Sequence, residues 1–243
     1  MARIFNTIRQ RMLEQNRFSR YLVYAVGEIV LVVIGIFLGL QLNYWNNDGK
    51  RAQQELGLLT EMRDNLQRDL NDCQDNIRSQ TRLGRSQDVV LKHLEDRSPF
   101  HDSLRFHYGN LFGGTQLTAN TSAYDNLKSI GFDLVRNDSL RRAITELYAE
   151  RYPFLSSLEV EMDLHMQLVD MGPHIHTKIV MDTVWKSAYP IDVEALMNDA
   201  AFKGVLRMNK FNKGFMVQAY MGIETRILKL TEMIDTELEQ RRP

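Results

Sequence analysis

The sequence predicts an all-α protein: one N-terminal transmembrane helix followed by a helical bundle with three long helices and short connecting helices. Two observations carry this expectation. Residues 21–42 (YLVYAVGEIVLVVIGIFLGLQL) are almost entirely apolar and match the roughly 20 residues that a helix rising about 1.5 Å per residue needs to cross hydrocarbon. Downstream, apolar residues recur at helical spacing over long stretches, and no run alternates with the period of two expected of a half-buried strand.

The length of 243 residues suffices for one medium domain with an anchor. A formal net charge of -1, with no basic excess outside the N-terminus, argues against nucleic acid as a partner. The single cysteine, Cys73, excludes an intrachain disulfide, so an exported domain must be held by packing alone.

The apolar segment is too long for a cleavable signal peptide, and no small-x-small site follows it. Tyr44 and Trp45 at one end, with Tyr21 and Tyr24 at the other, read as interfacial aromatics. Arg3, Arg9, Arg11, Arg17 and Arg20 precede the span, against Lys50 and Arg51 just after it, which predicts a cytoplasmic N-terminus. The expected organisation is therefore a basic cytoplasmic segment over 1–20, a transmembrane helix over 21–45, and an exported helical domain over 46–243. Met1, Ile4, Phe5, Ile8 and Met12 recur at helical spacing among the arginines, a pattern suited to resting on the inner leaflet.

Within the span, Gly35 and Gly39 form a G-x-x-x-G pair that lets two helix backbones approach closely. Glu28 falls within about 40° of both glycines on a helical projection. A carboxylate facing lipid costs about 2.5–3.5 kcal/mol, so Glu28, Gly35 and Gly39 are the expected association face. The alternative is that Glu28, near the cytoplasmic end, reaches the headgroups.

The exported part opens with a heptad-like seam of Leu56, Leu59, Leu66, Leu70, Cys73, Ile77, Leu91 and Leu94. Arg63, Gln80, Gly84 and Gln87 interrupt it, which points to packing within a bundle. Cys73, at a seam position, reads as a small buried hydrophobe. Ser98-Pro99 is expected to open a short helix closed by Gly109 and Gly113-Gly114, followed by a loop to about Thr121. Thr121 is expected to cap a short helix ending at Gly131, and Asp138 a longer one running towards Met171 that Pro153 kinks or divides. From Gly172-Pro173 to Pro190 the chain reads as irregular or briefly extended. Asp192 and Asp199 look like successive N-caps. The last helix, about Ala200 to Gln240, carries the apolar line Phe202, Val205, Met216, Ala219, Ile223, Ile227, Leu230, Ile234 and Leu238.

Two of these blocks, FSRYLVYAVGEIVLVVIGIFLGLQLNYWN (Phe18 to Asn47) and NLKSIGFDLVRNDSLRRAITELY (Asn126 to Tyr148), resemble an uncharacterised, domain-of-unknown-function family of single-span, N-terminally anchored envelope proteins of Gram-negative bacteria. The resemblance implies an inner-membrane location with a periplasmic domain. It transfers no catalytic residue.

Among chemical motifs, His174-x-His176 near Met171, Met181 and His165 would suit a soft metal such as copper. It is only half a site, and methionines at helical spacing more often fill a core. His101 and His107 with Asp102 read as a surface helix. Gly113-Gly114-Thr115 lacks the lysine of a phosphate loop and reads as a turn, and no G-x-S-x-G or Cys/His signature occurs. No catalytic, cofactor or metal site is assigned.

The leading expectation is a non-enzymatic inner-membrane protein whose periplasmic bundle senses an unidentified small-molecule ligand or scaffolds a membrane partner. Its partners would be the lipid bilayer and either a second copy of the chain or another membrane protein. The alternative is an accessory subunit of an ion-driven membrane complex in which Glu28 carries or gates protons; a periplasmic enzyme or metal carrier ranks third.

Overall fold

The computed structural model describes residues 18–241, so the amphipathic pattern over residues 1–17 lies outside the described residues. The chain is mostly helical and divides into two compact units, residues 1–54 and residues 55–243.

In the first unit, the described residues belong to helix α1 (Phe18–Glu95). Among the described residues this is the one helix long and apolar enough to cross a membrane. Large apolar side chains from Leu22 to Trp45 stand exposed, an array that water does not tolerate and that hydrocarbon or partner helices would cover.

The second unit comprises α1 from Glu55 onward, α2 (Leu104–Gly109), α3 (Ser122–Ile130), a helical run over 138–178, a β-hairpin, α7 (Val193–Asn198) and α8 (Ala200–Gln240). The run is built from α4 (Asp138–Thr145), α5 (Tyr152–Ser157) and α6 (Gly172–Lys178), joined through wide π-helical turns at Glu146–Arg151, Leu158–Leu164 and Met166–Met171. Arg241 pairs with Glu55 and Arg207 with Glu95, so α8 runs antiparallel to α1. Tyr152 bonds Asp69, and Asp163 bonds Gln80, so the 138–178 run is parallel to α1.

The wide turns follow from the spacing of the residues that must be buried. Leu140, Ile144, Tyr148, Tyr152, Leu155, Glu159, Asp163, Gln167, Met171, Ile175 and Ile179 are all buried, and all but one step between them is four residues. In a regular α-helix each such step rotates the stripe by about 40°, which would wind it off the core within a few turns. Turns closed from residue i to i+5 slow the rotation and hold the stripe against its neighbours. Pro153 sits in the first turn of α5, where its missing N–H falls next to the wide turn ending at Arg151.

The caps agree with the sequence at Asp192 and Asp199, whose carboxylates accept from Ala195 N and Phe202 N. Elsewhere they shift. Asn137 caps α4, accepting from Ser139 N and Leu140 N, while Asp138 is the first helical residue and pairs with Arg141. Thr121 precedes α3, but its hydroxyl donates to Asp125. α2 begins at Leu104, so Ser98-Pro99 does not open it. The segment expected to be irregular after Gly172 is helical to Lys178.

The all-α expectation left the segment before Pro190 irregular or briefly extended, and there the structure forms a hairpin that it did not include: β1 (Ile179–Thr183) pairs antiparallel with β2 (Ser187–Pro190), Val180 facing Tyr189. These strands are too short for a period of two to be legible, and tertiary contacts hold them. A Cβ on Gly109 of α2 would lie 2.8 Å from Ser187 N. The Arg105 guanidinium stands 4.7 Å over the Tyr189 ring, with Nη1 2.9 Å from Asp182 Oδ2.

The core falls into two apolar clusters. One gathers Leu59, Leu66 and Cys73 with Leu127, Ile144 and Ile227; the other gathers Val90, Leu94 and Tyr108 with Met171, Ile175 and Phe202. Each long helical segment passes from one cluster to the other through polar residues: Gln80 on α1, Glu159, Asp163 and Gln167 on the middle run, and Asn209, Asn212 and Lys213 on α8.

Candidate functional site in a buried polar layer

Between α2 and α3 the chain from 110 to 121 has no helix or strand, yet Asn110, Leu111 and Gly113 are buried. A strap of this kind brings inward peptide groups that helical bonding does not satisfy, and each must find a partner. Side chains from all three long helical segments supply them. Leu111 O accepts from Asn209 Nδ2 at 3.3 Å, and Gly113 O from Lys213 Nζ at 2.7 Å. Gly113 N donates to Gln167 Oε1 at 3.2 Å, and Leu117 N to Glu159 Oε1 at 2.8 Å. Thr118 N donates to Asp72 Oδ2 at 2.8 Å and Asn120 N to Asp69 Oδ1 at 2.9 Å, while Gln116 O accepts from Asn76 Nδ2 at 3.1 Å.

Gly113-Gly114, which the sequence suggests is a turn, lies in irregular backbone, and the reason for two glycines is steric. Gly113 has φ +140, and a Cβ there would lie 2.7 Å from the Trp185 indole nitrogen. A Cβ on Gly114 would lie 2.9 Å from Asp163 Oδ2.

Asp163 is the hub. Its Oδ1 accepts from Lys213 Nζ at 2.6 Å, Asn212 Nδ2 at 2.8 Å and Gln167 Nε2 at 3.4 Å, and its Oδ2 from Gln80 Nε2 at 2.8 Å. Four donors occupy the acceptor sites of one carboxylate. Both members of the Asp163–Lys213 pair are 1% exposed. Burial pushes the Lys213 ammonium below its usual range, and the adjacent Asp163 charge and hydrogen bond oppose that shift. Gln80 Oε1 and Asn212 Oδ1 have no hydrogen-bond partner among the described residues, a cost carried by the amides whose N–H groups serve Asp163.

One turn away, Tyr220 donates to Glu159 Oε1 at 2.7 Å and accepts from Thr115 Oγ1 at 3.0 Å. Burial raises the Glu159 pKa, against the pull of the Tyr220 and Leu117 hydrogen bonds. Asp69 is likewise raised by burial, against its hydrogen bonds from Asn120 and Tyr152.

The arrangement suits the holding of a strap and gathers no nucleophile with an activating base. Among the described residues, no group of three or more His, Cys, Asp or Glu side chains is placed to hold a metal ion. His174 lies 2.7 Å from Lys178 Nζ and packs on Phe202, His165 and His176 are exposed, and Met171 is buried in the second apolar cluster. His107 contacts Ser86 Oγ at 3.2 Å, whereas His101 contacts Ser103. Cys73 is buried, donates to Tyr220 O at 3.2 Å, and has its thiol pKa pushed up to about 12 by burial. Glu28, Gly35 and Gly39 stand exposed on one face of α1, and a Cβ on either glycine would meet nothing within 4 Å.

The profile of a family of unknown function, DUF6090, matches residues 28–163, more than half of the chain. The chain belongs to this family. The match runs from Glu28 in the apolar stretch of α1 to the hub residue Asp163. No curated protein and no solved structure matches the chain.

In the sequence the members of the layer look like interruptions of an apolar seam. A signal was present: Asn65, Asp69, Asn76, Gln80 and Gln87, all buried, follow one another along α1 in alternating steps of four and seven residues, which is a second stripe beside the apolar seam.

Removing one partner of a buried pair leaves the other uncompensated. Lys213→Met is expected to lower the unfolding free energy by about 3–5 kcal/mol in denaturant titrations followed by circular dichroism. Because Asp163 serves four donors, adding Asp163→Leu should not restore stability: it removes the acceptor of Asn212 Nδ2 and one of the two acceptors of Gln80 and Gln167, whose remaining partners are Thr115 and Asn209, at about 1–3 kcal/mol for each N–H left buried and unbonded. Recovery in the double variant would show the pair to be isolated from the strap.

A carboxyl whose pKa is raised in the folded state contributes stability below its ordinary value, 4.5 for Glu159, and loses it as pH rises through the raised value. Glu159→Gln keeps an acceptor for Leu117 and Tyr220 but no longer titrates. Its unfolding midpoint should therefore fall less steeply than that of the wild type as pH rises from about 4.5; parallel curves would locate the titration elsewhere.

Proposed function

We propose that the chain is a non-enzymatic, single-span protein of the Gram-negative inner membrane, with a cytoplasmic N-terminus and a periplasmic bundle of three long helices that senses a ligand or scaffolds a membrane partner. The observation that carries this reading is the polar layer centred on Asp163 and Lys213. A domain selected for stability alone is served as well or better by apolar packing at such positions. A layer of directional bonds joining three helices and a strap has discrete arrangements, and discrete alternatives are what a sensing element requires.

Anchoring and self-association belong to the span. The open Cβ positions at Gly35 and Gly39 support close approach of a second helix, and Glu28 on the same face supplies an interhelical hydrogen bond. The arginine excess before the span supports the orientation, and the resemblance of the Phe18–Asn47 block supports the envelope location.

Two measurements test this. A reporter active only outside the cytoplasm, fused after Pro243, should be active; activity of a cytoplasmic reporter in its place would reverse the topology. In a membrane two-hybrid or crosslinking assay of the span, Gly39→Ile should weaken association measurably, Glu28→Gln less, and Val33→Ile, well off the face, not at all. Equal signals from wild type and Gly39→Ile would remove the association face.

A further inference from the structure

From Asn76 to Gln87, α1 carries three arginines and no acidic residue. Arg78, Arg82 and Arg85 lie within about 60° of one another on the helix and line one side of an open groove of about 400 Å³. Phe106 and His107 of α2 line it as well, together with Ile77. The acids bracketing the stretch are committed: Asp75 pairs with Arg78, and Asp88 with Lys210. Nearby cations are similarly matched, Arg105 with Asp102 and Asp182, and Arg207 with Glu95. Arg82 and Arg85 have no hydrogen bond or ion pair with any described residue.

Two unneutralised guanidinium groups on adjacent turns of one helix repel each other, and an anion between them would relieve that. Each guanidinium offers a planar fork of N–H donors suited to oxyanions. A carboxylate offers two coplanar oxygens, whereas a phosphate presents three free oxygens in a tetrahedral array and a second negative charge, which suits two forks that approach from different turns. Beside them Phe106 leaves 43% of its surface exposed, and its ring meets His107 edge-on at 5.4 Å, giving an apolar wall next to the charged one.

We propose that this groove binds an organic phosphate, its oxyanion held by Arg82 and Arg85 and its apolar or ring portion laid against Phe106 and Ile77. The proposal deepens the ligand-sensing reading and rests on it. Phosphate of this kind reaches the groove either on a soluble molecule or on a lipid headgroup.

The test uses the purified full-length chain in a maltoside detergent, which carries no phosphate of its own, with phenyl phosphate as the soluble probe and mixed micelles containing phosphatidylglycerol as the lipid probe. Saturable binding of at least one probe is expected by titration calorimetry, falling at least tenfold in the Arg82→Gln/Arg85→Gln double variant and unchanged in Arg68→Gln. Phenyl phosphate should bind more tightly than inorganic phosphate, and Phe106→Ala should abolish that difference. Preference for the micelles assigns the headgroup as source; preference for phenyl phosphate assigns a soluble one. The substituted side chains are exposed, and an unchanged melting curve verifies that the variants fold. Absence of saturable binding of both probes, or equal binding by the double variant, overturns the proposal. Those outcomes leave the reporter and span measurements untouched, while a failed topology leaves groove binding measurable.

Discussion

The constraint on which the second unit depends is that a strap of peptide threaded among helices must have its N–H and C=O groups bonded without help from secondary structure. Aspartates 69 and 72, Asn76, Glu159, Gln167, Asn209 and Lys213 are explained together by that one requirement, since each bonds a strap backbone group. A helix satisfies its own backbone and can present apolar side chains; the strap instead moves the bonding burden to its neighbours, which is why polar residues separate two apolar clusters.

The same requirement shapes the middle helical run. Glu159, Asp163 and Gln167 must all face inward, as must Tyr148 and Tyr152 before them and Met171 and Ile175 after them. A spacing of four is longer than the 3.6-residue turn of an α-helix and cannot stay on one face over such a length, so the run opens into wide turns where the buried stripe would otherwise drift. The turns lie at the layer and on both sides of it, and follow from the order in which the sequence places residues that need burial.

The parts of this architecture that rest on local chemistry were legible in the residues themselves. The long apolar N-terminal helix, the Asp192 and Asp199 caps and the burial of Cys73 depend on a few neighbouring side chains, and the structure places them as the local pattern suggests. The polar layer was hidden because its members come from distant segments, and because Gln80 and Gln87 look like faults in an apolar seam unless their burial is known. Asn137 displaced the expected Asp138 cap because either side chain can accept from the first turn, and the backbone stays extended through Asn137, whose side chain then reaches Ser139 N and Leu140 N. The hairpin was hidden because Gly109 and Arg105, which hold it, lie far from it in sequence.

Charge follows the same logic of inside and outside. The chain is almost neutral as a whole, a balance that argues against a broadly basic surface. Along α1, however, the demand of the strap for acceptors takes Asp69 and Asp72 out of circulation, while Asp75 and Asp88 are bound to Arg78 and Lys210. Nothing acidic lies between Asn76 and Gln87 to match Arg82 and Arg85. Carboxylates consumed by the layer thus leave a surplus of cations at the surface of the same helix. A positive groove beside an exposed aromatic ring is then a consequence of how the interior was satisfied, and it exists without any net positive charge in the sequence.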